Sequence, residues 1–200
     1  TVYVMEGSSY DTSEVMAALG YTPENLPGAT LIAIEDDSAL PGGTQSVPVP
    51  GLLADSYVYN TKYYDADVVI SLPTLKNHWN AVITGGVKNL GIGATPSTTY
   101  GVAAGTTNLR QDGPNGIDHE SIFLHHFIHD YYLGNPADFV VMDGLQGIQN
   151  GPTPSNDVSG NTALAQDQMN MRLILAGRDE VEDGSACEAT AVAAGRGHTC

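Results

Sequence analysis

Three short apolar runs constrain the fold more than any other feature of this sequence. They are residues 67–72 (DVVISL), 138–142 (DFVVM) and 172–176 (RLILA). Their apolar residues are nearly continuous rather than alternating, which is typical of strands covered on both faces, as in parallel sheets. We therefore expect the three runs to be strands of one sheet whose pairing is mainly parallel.

Helical patterns before, between and after these runs indicate the fold class. A strand at 2–6 precedes a helix that stops near Gly20, residues 118–134 have the pattern of an amphipathic helix, and residues 180–195 that of a third helix. This alternation predicts an α/β fold with a mainly parallel sheet flanked by helices. No repeat or linker divides the sequence, so we expect a single α/β domain over residues 1–200.

The charge of the chain is strongly one-sided. Its 23 acidic residues outnumber its 7 lysines and arginines, which gives a net charge of −16. Such a field repels nucleic acids and anionic membranes, so we exclude both as partners. No apolar run approaches the roughly 20 residues of a membrane span. An acidic surface of this kind suits an exported protein, so we expect an extracytoplasmic or secreted location, with the cytoplasm as the alternative.

The scarce cations are concentrated in one glycine-rich segment. Two of the three lysines, Lys76 and Lys88, lie in residues 72–93 (LPTLKNHWNAVITGGVKNLGIG), where His78 stands beside the only tryptophan. Ligands of an open α/β sheet bind outside the carboxyl ends of its strands, and glycines let a ligand approach the backbone closely. The segment therefore predicts a binding site for a small anionic molecule. In the alternative interpretation, the glycines serve close helix–sheet packing and the lysines lie on the surface.

The other two strand ends supply acidic residues to the same predicted crevice. Asp143 follows the second run, and Asp179 and Asp183 follow the third. The candidate catalytic residues are His78 as a base, Lys88 and Asp143. The candidate ligand-binding residues are Lys76, Asn77, Thr84, Gly85, Gly86, Asn89, Gly144 and Gly147. Asp179 and Asp183 are candidate ligands of a divalent metal, although acids at a helix start also stabilise its dipole.

The predicted helix at 118–134 carries three histidines. His125 and His129 are four residues apart and share a helix face, a spacing that metal ligands use. No cysteine or carboxylate lies at a matching spacing, so we expect His125, His126 and His129 not to form a metal site on their own. Two cysteines, Cys187 and Cys200, are too few for an iron–sulfur cluster within this chain. A disulfide between them is left open.

Three motifs, in order, resemble the family called domain of unknown function 362. They are ADVVISLPTLKNHWNAVITGGVKNLGIG, DFVVMDGLQGIQNGP and LILAGRDEVEDGSACEATAVAAG, with Asn77 departing from the threonine that is usual there. The resemblance implies a largely undefined activity and a first strand and helix upstream of Thr1, so we expect a processed or partial chain. Many members of the family carry ferredoxin-like cysteine clusters, for which this chain has no counterpart.

A more distant similarity is to lactate-racemase-like proteins. In that group a histidine is followed ten residues later by a lysine that holds a nickel-pincer nucleotide, and HWNAVITGGVK places His78 and Lys88 in this register. The further histidines of the group have no clear counterparts after Gly93, so the cofactor is not carried over.

Two functions follow as hypotheses. The first is a domain that binds a small anionic molecule or a metal ion, with enzymatic turnover left open. The second is an exported acidic protein with a binding or assembly role, which could include forming homo-oligomers. The tyrosines between Tyr57 and Tyr64 would then supply a sheet edge or an interface.

Overall fold

The fold was analysed in a computed structural model that describes residues 1–8, 11–78, 80–101, 117, 123–148, 168–169, 172–177 and 190–192. In chain order the elements are β1 (Val2–Glu6), α1 (Thr12–Ala18), β2 (Ala29–Ala33), α2 (Ile34–Ser38), β3 (Thr44–Pro48), β4 (Ser56–Asn60), α3 (Thr61–Tyr64), β5 (Ile70–Ser71), β6 (Thr74–His78), β7 (Val82–Thr84), α4 (Gly86–Gly93), α5 (Ser97–Tyr100), α6 (Phe123–Gly134), β8 (Phe139–Ile148), β9 (Gln168–Met169), β10 (Leu173–Gly177) and β11 (Thr190–Val192). The predicted α/β class is confirmed. Among the helices of the described residues, none has the length and apolar character needed to cross a bilayer.

These elements form two compact units. Unit 1 comprises Thr1–Asp67 and Gly91–Asn135, and unit 2 comprises Val68–Leu90 and Pro136–Cys200. In unit 1, β1 and β2 pair in parallel and α1 connects them. Helix α1 begins at Asp11, whose carboxylate accepts the backbone N–H of Glu14 at 2.9 Å and so caps the helix.

The rest of unit 1 is organised around aromatic side chains. The antiparallel pair β3–β4 contributes Tyr57 and Tyr59, and helix α6 contributes Phe127 and Tyr131. Tyr59 has no exposed surface, and its ring stacks on that of Tyr131 with 4.3 Å between ring centroids. Tyr63 is buried as well. Tyr57, Tyr59 and Tyr63 therefore belong to the core of unit 1. They do not form the interface that the sequence suggested for them.

Unit 2 contains a sheet in the order β11-β10-β8-β6-β7, with β5 and β9 also paired to β8. All three predicted strand segments lie in this sheet. Strand β5, which lies in the run at 67–72, is parallel to β8 as predicted. Strand β6, which no predicted run covers, is also parallel to β8. Strand β10, however, runs antiparallel to β8, with Leu173 opposite Gly144 and Gly177 opposite Val140. The direction predicted for residues 172–176 is wrong, because a continuous apolar run reports burial on both faces and carries no information about strand direction.

The antiparallel direction of β10 changes where the predicted strand ends lie. The carboxyl end of β10 is at Gly177, beside the amino-terminal part of β8, whereas Asp143 lies farther along β8. The three carboxyl ends therefore do not meet at one edge of the sheet. The helix predicted over residues 180–195 is also contradicted in part, since Thr190–Val192 form β11 and pair with β10.

Strand β8 is longer than its apolar run. It continues past the predicted segment, which ends at Met142, through Gly144 and Gly147 to Ile148. Its pairing with β6 is irregular here, because Thr74 faces Asp143 whereas Lys76 faces Ile148. Glycines within a strand often mark such irregularities.

Candidate functional site

The hairpin of β6 and β7 sorts the predicted site residues onto two faces. Lys76 pairs with Thr84, and Asn77 pairs with Ile83. Side chains of directly opposed residues in an antiparallel pair lie on the same face, and neighbours along a strand alternate. Lys76 and Thr84 therefore share one face of the hairpin, whereas Asn77 projects from the other. The structure brings together two of the predicted ligand-binding residues and separates the third from them.

The turn of this hairpin is strained and involves His78. Val82 has a φ of 66°, and the N–H of Ile83 donates to the carbonyl of Ala81 at 2.7 Å. This is a γ-turn of the rarer, strained kind. The positive φ of a β-branched residue costs of order 1–3 kcal/mol.

His78 stabilises the same turn from within. Its Nδ1 accepts the backbone N–H groups of Asn80 and Ala81, each at 3.2 Å, and the side chain is 8% exposed. An Nδ1 that accepts hydrogen bonds places the proton of the neutral ring on Nε2. The Nδ1 lone pair is therefore engaged by the turn, which gives His78 a structural role that the sequence did not predict.

Lys88 lies on α4 and is partly buried. Its burial, and secondarily the positive charge of Lys76, lower the pKa of its ammonium from 10.5 to about 8. Within the described residues, the ion pairs are Lys62 with Asp37 and His129 with Asp130, so no described carboxylate pairs with Lys88. Asp143, the candidate acid that the structure describes, forms no ion pair with Lys88.

Thr84 adds an unsatisfied hydroxyl to the same hairpin face. Its side chain is 7% exposed, and its Oγ1 lacks a hydrogen-bond partner within the described part of the chain. Leaving a buried polar group without a partner costs about 1–3 kcal/mol. Thr84 is therefore a buried polar group of unit 2 without a described hydrogen-bond partner, and Lys88 is a partly buried cation without a described ion pair.

The glycines before Lys88 serve packing between α4 and β8. A Cβ atom at Gly86 would lie 2.7 Å from Cγ2 of Val140, and one at Gly85 would lie 3.2 Å from Cε of Met142. Asn89 also holds α4 in place, because its Nδ2 donates to Oγ of Ser71 at 3.2 Å. The packing interpretation thus accounts for Gly86 and Asn89, and Lys88 is partly buried.

The remaining predicted residues lie apart from this arrangement or outside the described residues. Asp143 is exposed, and its Oδ1 accepts the N–H of Leu145 at 2.8 Å. The two causes of the lowered pKa of Lys88 are burial and Lys76, and Asp143 is not among them.

Gly144 lets the backbone of β10 approach, since a Cβ there would lie 2.9 Å from the carbonyl oxygen of Leu173. Gly147 pairs with Met169 of β9. The predicted metal ligands Asp179 and Asp183 lie outside the described residues.

Helix α6 carries an acid that the sequence analysis missed. Asp130 has no exposed surface and accepts hydrogen bonds from the N–H of Leu53 and the hydroxyl of Tyr57, both at 2.8 Å. Its other oxygen lies 2.9 Å from Nδ1 of His129, whose side chain is half exposed. The available signal was its position three residues after the buried Phe127, on the apolar side of the helix.

Among the described residues, no group of three or more histidine, cysteine, aspartate and glutamate side chains is arranged to hold a metal ion.

Comparison with known proteins identifies a family and no characterised relative. Residues 1–188 match the family model described as "Domain of unknown function (DUF362)". No curated protein matches the chain. Because the match spans most of the sequence, including the Lys76–Lys88 segment, the chain belongs to the DUF362 family.

Proposed function

We propose that this protein binds a small anionic molecule through Lys76 and Lys88 in unit 2. The observation that carries the proposal is the environment of Lys88, a partly buried lysine close enough to Lys76 for the two charges to interact. Burial of an ammonium beside a second cation is unfavourable unless an opposite charge is supplied. Since no described carboxylate pairs with Lys88, a bound anion is the partner that best fits this site.

Thr84 supports the same proposal independently of charge. Its buried hydroxyl shares the hairpin face of Lys76 and lacks a described partner. A ligand that carries carboxylate or phosphate oxygens would accept a hydrogen bond from this hydroxyl while it neutralises the lysines. Two neighbouring cations repel a metal ion, so the site favours an anion over a divalent metal.

The second candidate, an exported binding or assembly protein, is favoured by one observation. Several apolar side chains of unit 2 are exposed, among them Leu72 at 69% and Val82 at 70%. Exposed apolar residues mark an interaction surface when they form a contiguous patch. Sedimentation analysis distinguishes the candidates, because self-association that Leu72→Ser abolishes would favour the assembly role.

The test of the anion site is titration calorimetry at pH 7 with oxalate and with inorganic phosphate. We expect saturable binding by the wild type and a loss of about tenfold or more in affinity for Lys88→Met and for Lys76→Met, because a charge-assisted hydrogen bond contributes about 1.5–3 kcal/mol.

Lys62→Met is the matched control. It removes the same charge from unit 1, where Lys62 pairs with Asp37. If Lys62→Met weakens binding as much as the other two substitutions, the effect is one of overall charge and the proposed site is wrong. If neither anion binds to the wild type, the proposal fails for both classes of ligand.

A further inference from the structure

We propose that the turn between β6 and β7 is an acid-sensitive switch, which opens when the ring of His78 takes up a second proton on Nδ1. The neutral ring holds the turn closed, and the doubly protonated ring cannot. Thr84 lies on the strand that follows this turn. Opening would therefore also disturb the anion site, a consequence that rests on the function proposed above.

A single ring atom of His78 holds the turn. Its Nδ1 accepts the N–H groups of Asn80 and Ala81, each at 3.2 Å. Protonation turns this acceptor into a donor, because both ring nitrogens of an imidazolium carry a hydrogen. The two backbone N–H groups would then face a third N–H group, and both hydrogen bonds would be lost. Since the side chain is 8% exposed, little water can replace these contacts.

The turn is also strained, and the strain favours opening. Val82 pairs with His78 and has a φ of 66°, a region that β-branched residues rarely adopt. Such a conformation persists only while the surrounding contacts hold it. The hydrogen bonds to His78 hold the two residues directly before Val82. Their loss would let Val82 return to a negative φ, which changes the course of the chain into β7.

The charged residues around His78 keep its ring neutral at neutral pH. In β6, in its neighbours β7 and β8 and in α4, these residues are Lys76, Asp143 and Lys88. Lys76 lies two positions before His78, so the two share a strand face and Lys76 opposes a second positive charge. Asp143 lies opposite Thr74, about 13 Å from His78 along β6. The switch therefore responds to acid, in which protonation of the ring becomes favourable.

Strand β7 has few contacts of its own that could resist this change. In the sheet of the described residues it is the outermost strand, and its three residues pair with β6 alone. Lys76 pairs with Thr84 two positions beyond the turn. A change at Val82 would therefore move Thr84 relative to Lys76.

The test is backbone hydrogen exchange, measured by NMR between pH 8 and pH 5, the range in which histidines change charge. Protection factors correct for the intrinsic dependence of exchange on pH. We expect the protection of Asn80, Ala81 and Ile83 to fall by about tenfold or more toward pH 5, while the amides of β3 and β4 keep theirs. The fall should follow the titration of the His78 ring in the same spectra.

Three variants assign the response to the ring and to the strain. In His78→Asn the amide oxygen can accept the same N–H groups but takes up no proton in this range, so protection should persist at pH 5. His126→Asn changes a half-buried histidine of α6 and is the matched control, which should respond like the wild type. Val82→Gly removes the strain and should shift the opening to lower pH.

Three results would overturn the switch. Constant protection in the wild type, or a loss that does not follow the titration of His78, rejects it. The same loss in His78→Asn assigns the response to another group. A simultaneous loss of protection in β8 and β10 would show that unit 2 unfolds as a whole.

Oxalate titration at pH 7 and pH 5 tests the consequence for the anion site separately. We expect about tenfold weaker binding at pH 5 in the wild type and no such loss in His78→Asn. Absence of binding at pH 7 rejects the anion site and leaves the exchange result valid. Equal binding at both pH values, together with an open turn at pH 5, rejects the control of the site by the turn.

Discussion

The two units treat their buried polar groups differently. In unit 1, Asp130 accepts hydrogen bonds from Leu53 and Tyr57, and Asn60, which has no exposed surface, donates to Asp37. In unit 2, Lys88 and Thr84 have no described partner of this kind. One carboxylate oxygen of Glu35 is the exception in unit 1. Satisfied polar groups stabilise a fold, whereas unsatisfied ones are retained where function requires them. The proposed anion site lies in the second unit, beside the buried hydroxyl of Thr84.

The largest effect in unit 1 is expected for Asp130→Ala. The substitution leaves the buried hydroxyl of Tyr57 and the N–H of Leu53 without their acceptor, and we expect a loss of about 3–5 kcal/mol in the free energy of unfolding. Chemical denaturation measures it, and Asp36→Ala, an exposed acid of α2, should change it by less than about 0.5 kcal/mol.

The pH dependence of Asp130 gives a second measurement. Burial alone would raise the pKa of this carboxyl, but the N–H groups of Leu52 and Leu53, His129 and the hydroxyl of Tyr57 hold it below its ordinary range. A carboxyl whose pKa is lower in the folded protein than in the unfolded chain stabilises the fold at pH values above its pKa in the unfolded chain. This contribution disappears as the pH falls through its pKa in the folded protein. The wild type should therefore lose more stability in acid than Asp130→Ala does. Equal losses would show that Asp130 is replaceable and would break the contrast between the units.

Lys88→Met is expected to have the intermediate effect on the free energy of unfolding, with a sign opposite to that of Asp130→Ala. A pKa lowered from 10.5 to about 8 corresponds to an unfavourable term of up to about 3 kcal/mol in the protonated state. This penalty is fully present below pH 8 and is relieved as the pH rises toward 10.5, because the unfolded chain binds the proton more strongly there. We expect the substitution to stabilise the protein by about 1–3 kcal/mol at pH 7.

Denaturation at two pH values checks this expectation. The stabilising effect of Lys88→Met should shrink between pH 7 and pH 10. Destabilisation by Lys88→Met at pH 7 would mean that the ammonium has a favourable partner, and the comparison between the units would then lose its basis.

The smallest effect is expected for Lys62→Met. Its ion pair with Asp37 is well formed, but the side chain of Lys62 is 39% exposed, and such pairs contribute about 0–1 kcal/mol. Burial acts to raise the pKa of Asp37, while hydrogen bonds from Lys62 and Asn60 lower it overall. The contribution should therefore fade as the pH falls through the range of this carboxyl, and added salt should weaken it. A loss well above 1 kcal/mol in a denaturation experiment would contradict this estimate.

Sequence patterns predicted the parts of the fold that depend on local composition. The apolar runs predicted the three strands of the unit 2 sheet, and the site placed on Lys76 and Lys88 stays a prediction. The direction of β10 depends instead on how the chain returns to β8, which no local pattern encodes. The role of Asp130 likewise depends on Tyr57 and Leu53, which are distant in the sequence. The turn at Val82 was missed because β-branched residues rarely adopt a positive φ.

The contact between Gly86 and Val140 has a consequence for how this family can vary. The two positions share one small volume between α4 and β8, so a methyl group added at Gly86 needs the room that Val140 now fills. Neither residue can change size alone without moving the helix that carries Lys88. A larger residue at position 86 would therefore need a smaller one at position 140 to leave the helix in place.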